Sequence, residues 1–313
     1  MVIVPMLAKL VNDVPSDDDG WAFEMKWDGI RALPTIHDGD IQIFTRNGND
    51  MTARFPEMAG LAQAIGHEAL LDGEIVALDE RGRPSFQLLQ QQHRQTVRVV
   101  YMIFDLLQLG SESLLGLPYV ERRARLEALK LEAQHWQTPS YSRGGGHQMR
   151  EESQRRGLEG VIAKQLDSVY DPGKRTGAWL KIKNHLGQEL VIAGWQEGLG
   201  KRQGMIGALL LGYYDAAGQL QHAGKVGTGF TEAILADLGR RLAPLARETN
   251  PFASGKQPRA SHFVEPELVA EIEFTEWTSD GHIRHPSFKG LRDDKPARDI
   301  VHETPEGGGR GTI

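Results

Sequence analysis

The six residues KWDGIR at 26–31 set a lysine, an aspartate and an arginine inside a frame of Trp21, Phe23, Trp27 and Leu33. Charge enclosed by apolar residues is costly unless it is paired. The cluster therefore reads either as an ion-pair network at a partly buried strand end or as a place where a lysine meets an anionic ligand. A lysine that attacks phosphorus must first lose its proton. At an ordinary pKa of about 10.4, only about one lysine in a few thousand is neutral at pH 7, a deficit of roughly 4.6 kcal/mol. Nearby cations reduce that deficit, because like charge disfavours the ammonium form. Arg31 is one such cation, and Lys181 and Lys183 in WLKIK supply two more. The paired lysines also have a plainer reading as an exposed strand edge, which lysine protects from aggregation. Glu74 in DGE and Glu159 in LEG are carboxylates flanked by apolar residues. Hard divalent cations prefer such oxygen ligands and keep several waters; an ion pair with a neighbouring lysine is the alternative.

The elements that must hold these groups are legible from hydrophobic pattern and turn residues. ALPTIHDGDIQIFTRNG reads as two strands joined at Asp38-Gly39-Asp40, and ALLDGEIVALDERGRPSF as a strand closing on a turn at 81–83. VRVVYMIFDLLQL reads as a strand buried on both faces. PYVERRARLEALKLEA reads as a helix with Pro118 early in it and a Glu121–Arg125 pair on its surface. GLEGVIAKQ and AWLKIKNH read as short strands separated by a Gly/Pro/Asp loop. After residue 185 the texture changes to short β segments with Gly-rich turns, about five strands, plus one helix over 231–246 that aligns Ile234, Leu238, Leu242 and Leu245. That set suits a small barrel. PFASGKQPRASH reads as a loop and GGGRG as disordered, and no internal repeat is evident.

The 313 residues allow one large domain or two ordinary ones, and 40% hydrophobic with 25% charged residues is the profile of a globular chain with real cores. No apolar run approaches a membrane span, and the N-terminus lacks the basic leader of a secretory signal, so a cytoplasmic address is expected. Absence of cysteine excludes disulfides and thiolate metal sites. A formal charge of −6 argues against general attraction to nucleic acid. Local basic runs, KRTGAWLKIK and RHPSFKGLRDDKPAR, leave room for contacts within about a Debye length. Each run alone also reads as a solvated basic face.

Taken in order, KWDGIR at 26, LDGEIVALD at 71, IFDLL at 103, LEGVIAK at 158, WLKIK at 179 and RHPSFKGLRDDKP at 284 resemble the covalent nucleotidyltransferases. Among these the chain is similar to the ATP-dependent DNA ligases, in particular the ligase module of bacterial end-joining enzymes of the D type and their stand-alone relatives. The likeness runs from Pro5 to Lys295. It implies an α+β fold, with an adenylation domain of antiparallel sheets and helices over 1–185 and an OB-fold domain over 186–313. It implies that Lys26 is the nucleophile that forms a lysyl-AMP, with Lys181 and Lys183 on the α-phosphate. Glu74 falls near the ribose, Glu159 at a metal (magnesium or manganese) and Asp28 in support of that site. Phe104 matches the aromatic that stacks on adenine, although plain core packing explains it nearly as well. Glu24 matches a position that contacts the adenine, Arg46 a phosphate or sugar contact, and Arg31 and Lys164 further nucleotide contacts. Arg284, Arg292 and Lys295 are expected on the pyrophosphate leaving group, brought there by domain closure.

The same resemblance implies nicked or broken duplex DNA as substrate, a monomer without membrane attachment, and a bacterial enzyme at the nucleoid during repair. It also implies the Ku end-binding protein and a repair polymerase as partners. Many larger ligases carry a helical DNA-binding domain before the lysine motif, whereas only 25 residues precede Lys26 here, so nick binding is expected to rest on the two domains or a partner. GTP-dependent capping enzymes and RNA ligases share the lysine chemistry, but KWDGIR together with RHPSFKGLRDDKP favours the DNA-ligase branch. An inert DNA-binding module is the reading from another class. It predicts loss of a chemical residue, and Lys26, Glu74, Glu159, Lys181 and Lys183 are all present.

Overall fold

In strand Trp21–Lys26 the odd positions Phe23 and Met25 face one way and Ala22, Glu24 and Lys26 the other, as period two requires. The same alternation runs through Gly160–Gln165, which lies beside it, and Trp179–Lys183, one strand further on. The computed structural model describes residues 3–91, 97–184, 186–198, 200, 203–253, 261–278 and 280–303. They divide into two compact units, Met1–Asn184 and His185–Glu303.

The first unit holds two sheets. One has five strands, in the order Lys9–Val11, Trp179–Lys183, Gly160–Gln165, Trp21–Lys26 and Tyr141–Arg143. Its back face buries Phe23, Val161, Ala163 and Ile182 against Val14 and the helix Gly146–Arg155, which the sequence pattern did not reveal. The other sheet is built on Ile30–His37, Asp40–Thr45, Ala69–Leu78 and Arg98–Leu109, all antiparallel in sequence. Its main core is closed by short helical turns over Thr52–Ile65 and by Phe86–Gln91, also unforeseen. Between the two sheets, Met6, Leu33, Leu107, Tyr170 and Trp179 form a smaller core that Phe104 borders. In Arg98–Leu109 the expected burial on both faces holds for most of the run, but Phe104 keeps an accessible side.

The chain crosses from one sheet to the other through Trp27-Asp28-Gly29. A Cβ on Gly29 would lie 2.2 Å from the Ile75 carbonyl oxygen and 2.9 Å from Val76 Cγ1, so the crossover fits only glycine. Gly29→Ala should cost about 1–3 kcal/mol through forced backbone movement. A urea titration reads this directly, and a midpoint unchanged from the wild type would show that the crossover has slack.

Two expectations for this unit need correction. The helix is Tyr119–Ala128, with Pro118 at its N-cap rather than inside it. Its Arg125 pairs with Glu112 at 2.5 Å, not with Glu121, and Arg122 and Arg123 are fully buried. Arg122 forms a two-bonded fork with Asp105, 2.9 Å on each arm, and also donates to the Leu117 and Ser168 carbonyls. A surface pattern of alternating charge concealed an arginine that ties helix to sheet.

The second unit is a seven-stranded sheet with a two-stranded ribbon, Glu276–Trp277 with Ile283–Arg284, richer than the five strands expected. Its long strand Leu186–Glu197 pairs along one edge with Ile206–Tyr214 and along the other first with Val269–Phe274 and then with Ser261–Val264, bending at a bulge next to Gly194. The helix is Glu232–Leu242, followed by a tighter turn Ala243–Leu245, because Pro244 cannot continue an α-helix. Leu235, Leu238 and Leu242 are buried, with Ile234 and Leu245 partly so, and Thr231 Oγ1 accepts the Ile234 amide at 3.3 Å as N-cap. Strand Ser261–Val264 takes the end of the segment expected as loop; its middle and the GGGRG segment lie outside the described residues.

Candidate active site

Register brings the motif residues of the five-stranded sheet into three rows on one face. Lys26, Gly160 and Lys183 form one row, Glu24, Ile162 and Lys181 the next, and Ala22, Lys164 and Trp179 the third. Gly160 is required at the first row, since a Cβ there would lie 2.1 Å from the Ile182 carbonyl oxygen. The close approach lets Glu159 turn over the sheet. Its carboxylate takes a short ion pair from Lys26 Nζ and a second from Lys183 Nζ at 3.5 Å. Burial pushes the Glu159 carboxyl upward, but Lys26, Lys183 and Lys181 outweigh it and hold the group at about 2. Glu159 is thus a carboxylate at any working pH.

The segment carrying Glu159 is clamped from behind. Asn184 donates its backbone N–H to the Glu159 carbonyl at 2.9 Å, and its side-chain amide donates to Leu158 O at 2.9 Å and to Ser153 Oγ at 2.8 Å. Ser153, itself fully buried, donates to the Gly160 carbonyl at 2.8 Å.

The third row opens on a buried cation. Lys164 Nζ lies 4.3 Å from the ring centre of Trp179, 4.4 Å from Phe104 and 4.9 Å from Tyr119, and donates to Glu24 at 2.9 Å. Desolvation lowers the Lys164 pKa, opposed by Glu24 and Asp105. Aromatic faces compensate part of that desolvation by cation–π attraction. Glu24 also accepts from the Tyr119 hydroxyl, and Arg123 Nη1 stands 3.8 Å away.

Arg31 begins the second sheet opposite Glu74 and forks onto fully buried Asp72, at 2.8 Å through Nε and 2.5 Å through Nη2. Tyr170 donates to the same carboxylate at 2.7 Å. Burial lowers the Arg31 pKa, but Asp72 more than reverses this and keeps the guanidinium charged. Arg31 also lies 5.4 Å from the Phe104 ring centre and 5.6 Å from that of Trp179. Arg46 follows Thr45, which pairs with Ala32 beside Arg31, in a turn closed by Gly48. Asp28 is half-buried in the crossover.

Lys26, Glu159, Lys181 and Lys183 are therefore brought together, with Glu24, Lys164 and Phe104 in a second, adjoining group. Tyr119, Arg123, Asp72, Tyr170 and Trp179 join them and were missed by the sequence reading, which had no local signal for partners supplied by other elements. In the second unit, Arg292 forks onto Asp294 at 2.9 Å on each arm and reaches Glu271 at 3.5 Å, and Lys295 pairs with Glu189. Arg284 bonds Glu276 at 2.7 Å. The basic segment is thus counterbalanced by acids of its own unit.

Among the described residues, the one trio of His and carboxylate ligands whose atoms converge is exposed His37, Asp38 and Glu68, none of them a motif residue. At Glu159 a divalent cation would find one protein carboxylate. That suits magnesium, which usually binds through one or two carboxylates with waters and phosphate oxygens completing its shell.

Residues 5–183 match the model of the ATP dependent DNA ligase domain, and residues 202–295 that of the ATP dependent DNA ligase C terminal region. The chain belongs to the ATP-dependent DNA ligases. It is 42% identical over 305 residues to the multifunctional non-homologous end joining DNA repair protein LigD of Mycobacterium tuberculosis, covering 96% of this chain and 40% of that protein. To LigD of Mycolicibacterium smegmatis it is 43% identical over 303 residues, covering 96% and 39%. The ligase chain thus spans about 40% of the length of these curated relatives. A solved structure of mycobacterial DNA ligase D complexed with ATP and MES superposes with a TM-score of 0.74 at 40% identity, covering 96% of this chain and 98% of that one. The fold is that of the family, an α+β nucleotidyltransferase domain followed by an OB-fold domain, and the nucleotide is ATP. No described helix is long and apolar enough to cross a membrane.

Proposed function

We propose that this ligase seals 5′-phosphate/3′-hydroxyl breaks in duplex DNA during bacterial end joining, through lysyl-AMP on Lys26 and then a DNA-adenylate. The observation that carries the reading is the Lys26–Glu159–Lys183 cluster on one sheet face. Residues 1–185 are the adenylation domain in this reading and 186–313 the OB-fold domain. Lys26 Nζ, once deprotonated, attacks the α-phosphorus; the N–P bond forms as the bond to pyrophosphate breaks. The AMP then passes to the 5′-phosphate of the DNA, Lys26 is released, and attack by the 3′-hydroxyl expels AMP.

Lys181 and Lys183 stabilise charge on the α-phosphate, which matters in both transfers. Phe104 offers a face to the base, with Glu24 and Lys164 at its edge, and Arg31, Arg46 and Glu74 serve the sugar and phosphates. Glu159, with Asp28 two residues beyond Lys26 in support, would hold a magnesium or manganese ion, which when bound supplies positive charge against the phosphates. In this reading the enzyme works in the cytoplasm, at the nucleoid during repair, with the Ku end-binding protein and a repair polymerase as partners; the end-joining DNA repair relatives support it.

The deciding experiment incubates the pure protein with labelled ATP, then adds a nicked duplex. An acid-stable protein adduct that disappears as sealed product forms is the expected result; sealing with no adduct would exclude a covalent route. Binding to the nick should weaken steeply between low and moderate salt, because phosphate contacts release counterions. A flat response in a fluorescence titration would remove backbone contacts as the source of affinity.

Arg292 and Lys295 are proposed to act on the pyrophosphate leaving group. Lys295→Ala, which disturbs the unit less than loss of the buried Arg292 fork, should slow ATP reaction roughly 100-fold and largely spare sealing of a pre-adenylated nick. Equal losses in both single-turnover assays would mean that the basic segment serves DNA instead.

A further inference from the structure

Three consecutive carbonyls, those of Leu158, Glu159 and Gly160, are received by two uncharged residues, Asn184 and Ser153. The Leu158 oxygen accepts from the Asn184 side-chain amide at 2.9 Å and the Glu159 oxygen from the Asn184 backbone N–H at 2.9 Å. The Gly160 oxygen accepts from Ser153 Oγ at 2.8 Å, and Ser153 Oγ in turn accepts from Asn184 Nδ2 at 2.8 Å. Proton count fixes the direction of this chain. A hydroxyl has one proton, and Ser153 spends it on Gly160, so toward Asn184 it can only accept. Turning the Asn184 amide over would set its oxygen against two other acceptors. Its Oδ1 is buried without a hydrogen-bond partner, so the side chain serves the fold as a donor.

Glu159 depends on such support. It precedes the strand Gly160–Gln165 rather than lying inside it, and it follows a reversal at Gly157, where φ is +65°. Its side chain reaches over the sheet to Lys26 and Lys183 and is 23% exposed, so close packing does not fix it. Ser153, by contrast, is fully buried on the helix Gly146–Arg155 and gives the three carbonyls a rigid base. Lys183 immediately precedes Asn184 in the chain. One residue therefore anchors both halves of the Lys183–Glu159 pair.

We propose that Asn184, together with Ser153, is a positioning residue for the ligation reaction, holding Glu159 where its carboxylate serves Lys26 and the divalent cation. It touches neither nucleotide nor cation and acts through the backbone on which Glu159 stands. The proposal rests on the reading of Glu159 as the carboxylate that holds the cation.

The test uses the wild type, Asn184→Ala, Ser153→Ala, Glu159→Ala and the Asn184→Ala/Glu159→Ala double variant. Hydrogen exchange of fragments spanning 157–161 is measured first, without metal or nucleotide. Asn184→Ala should speed exchange there about tenfold, the scale of one or two neutral hydrogen bonds lost from a local unit. Self-adenylation is then followed through a magnesium titration. Asn184→Ala should raise the half-saturating magnesium concentration about tenfold and lower the rate at saturating magnesium much less. Adding Asn184→Ala to Glu159→Ala should not change the magnesium requirement further, because the first residue acts through the second.

A merely structural Asn184 would lower the melting temperature or speed exchange and leave the magnesium requirement as in the wild type. If Glu159→Ala shifts that requirement and Asn184→Ala does not, the inference is overturned while the reading of Glu159 stands. If Glu159→Ala does not shift it, the reading of Glu159 fails and the inference falls with it. Should Asn184→Ala fail to fold, Ser153→Ala carries the same two expectations, and a wild-type magnesium requirement there overturns the inference.

Discussion

Lys26→Ala protein should form no acid-stable adduct with labelled ATP, a loss of about 10⁴-fold or more, the scale seen when a covalent nucleophile is removed. The two other lysines in contact with Glu159 or its field do not replace it. Lys183 lies two strands away with its side chain 8% exposed, and Lys181 is one row further along the sheet. The fold should survive, because Glu159 keeps Lys183 as a partner and the lost ion pair is partly solvated, so stability should change by only about 1 kcal/mol. Lys26→Arg is the informative control. It preserves the cation beside Glu159 but supplies no amine, so it should be as inactive as Lys26→Ala. Full adduct yield from either variant would assign the nucleophile elsewhere.

Glu159→Ala should slow both self-adenylation and sealing roughly 100-fold, the scale of lost electrostatic support at a phosphoryl centre. Because the carboxylate is shared by Lys26 and Lys183, its removal also leaves two neighbouring ammonium groups without their common counter-charge. A variant that reacts like the wild type across a magnesium titration would reduce Glu159 to a structural ion-pair residue.

The same group has a stability signature. Its folded pKa of about 2 lies below the unfolded value of about 4.3. A depressed carboxyl stabilises the fold above the unfolded pKa, and that contribution is lost as pH falls through the folded one. The stability difference between wild type and Glu159→Gln should therefore be present at neutral pH and shrink between about pH 5 and pH 2. Urea midpoints for the two proteins at several pH values measure it.

Sequence alone determined which residues share a face, because alternation is a local property of an extended chain. WAFEMK and WLKIK each place their charged positions two residues apart, so Glu24 and Lys26, and Lys181 and Lys183, had to project together. The glycines of KWDG and LEG were also visible as breaks, and the backbone approaches at Gly29 and Gly160 explain them. The order of the motifs was enough to place the chain in its family.

Tertiary structure decided who neutralises whom. Arg31 looked like a free cation near the nucleophile, yet it is held by Asp72, a residue 41 positions away brought alongside by strand register. Glu24 acquired Tyr119 from a helix 95 residues on, and Lys164 acquired an aromatic enclosure drawn from three separate elements. Arg122 and Arg123 sat in a pattern typical of a solvated helix face but are buried, because apart from Glu127, one turn on from Arg123, the groups that receive them lie on strands and loops with no periodic relation to the helix. Periodicity encodes the direction of a side chain from its own backbone. Its partner depends on packing between elements distant in sequence, and that is where the charges of this site were assigned.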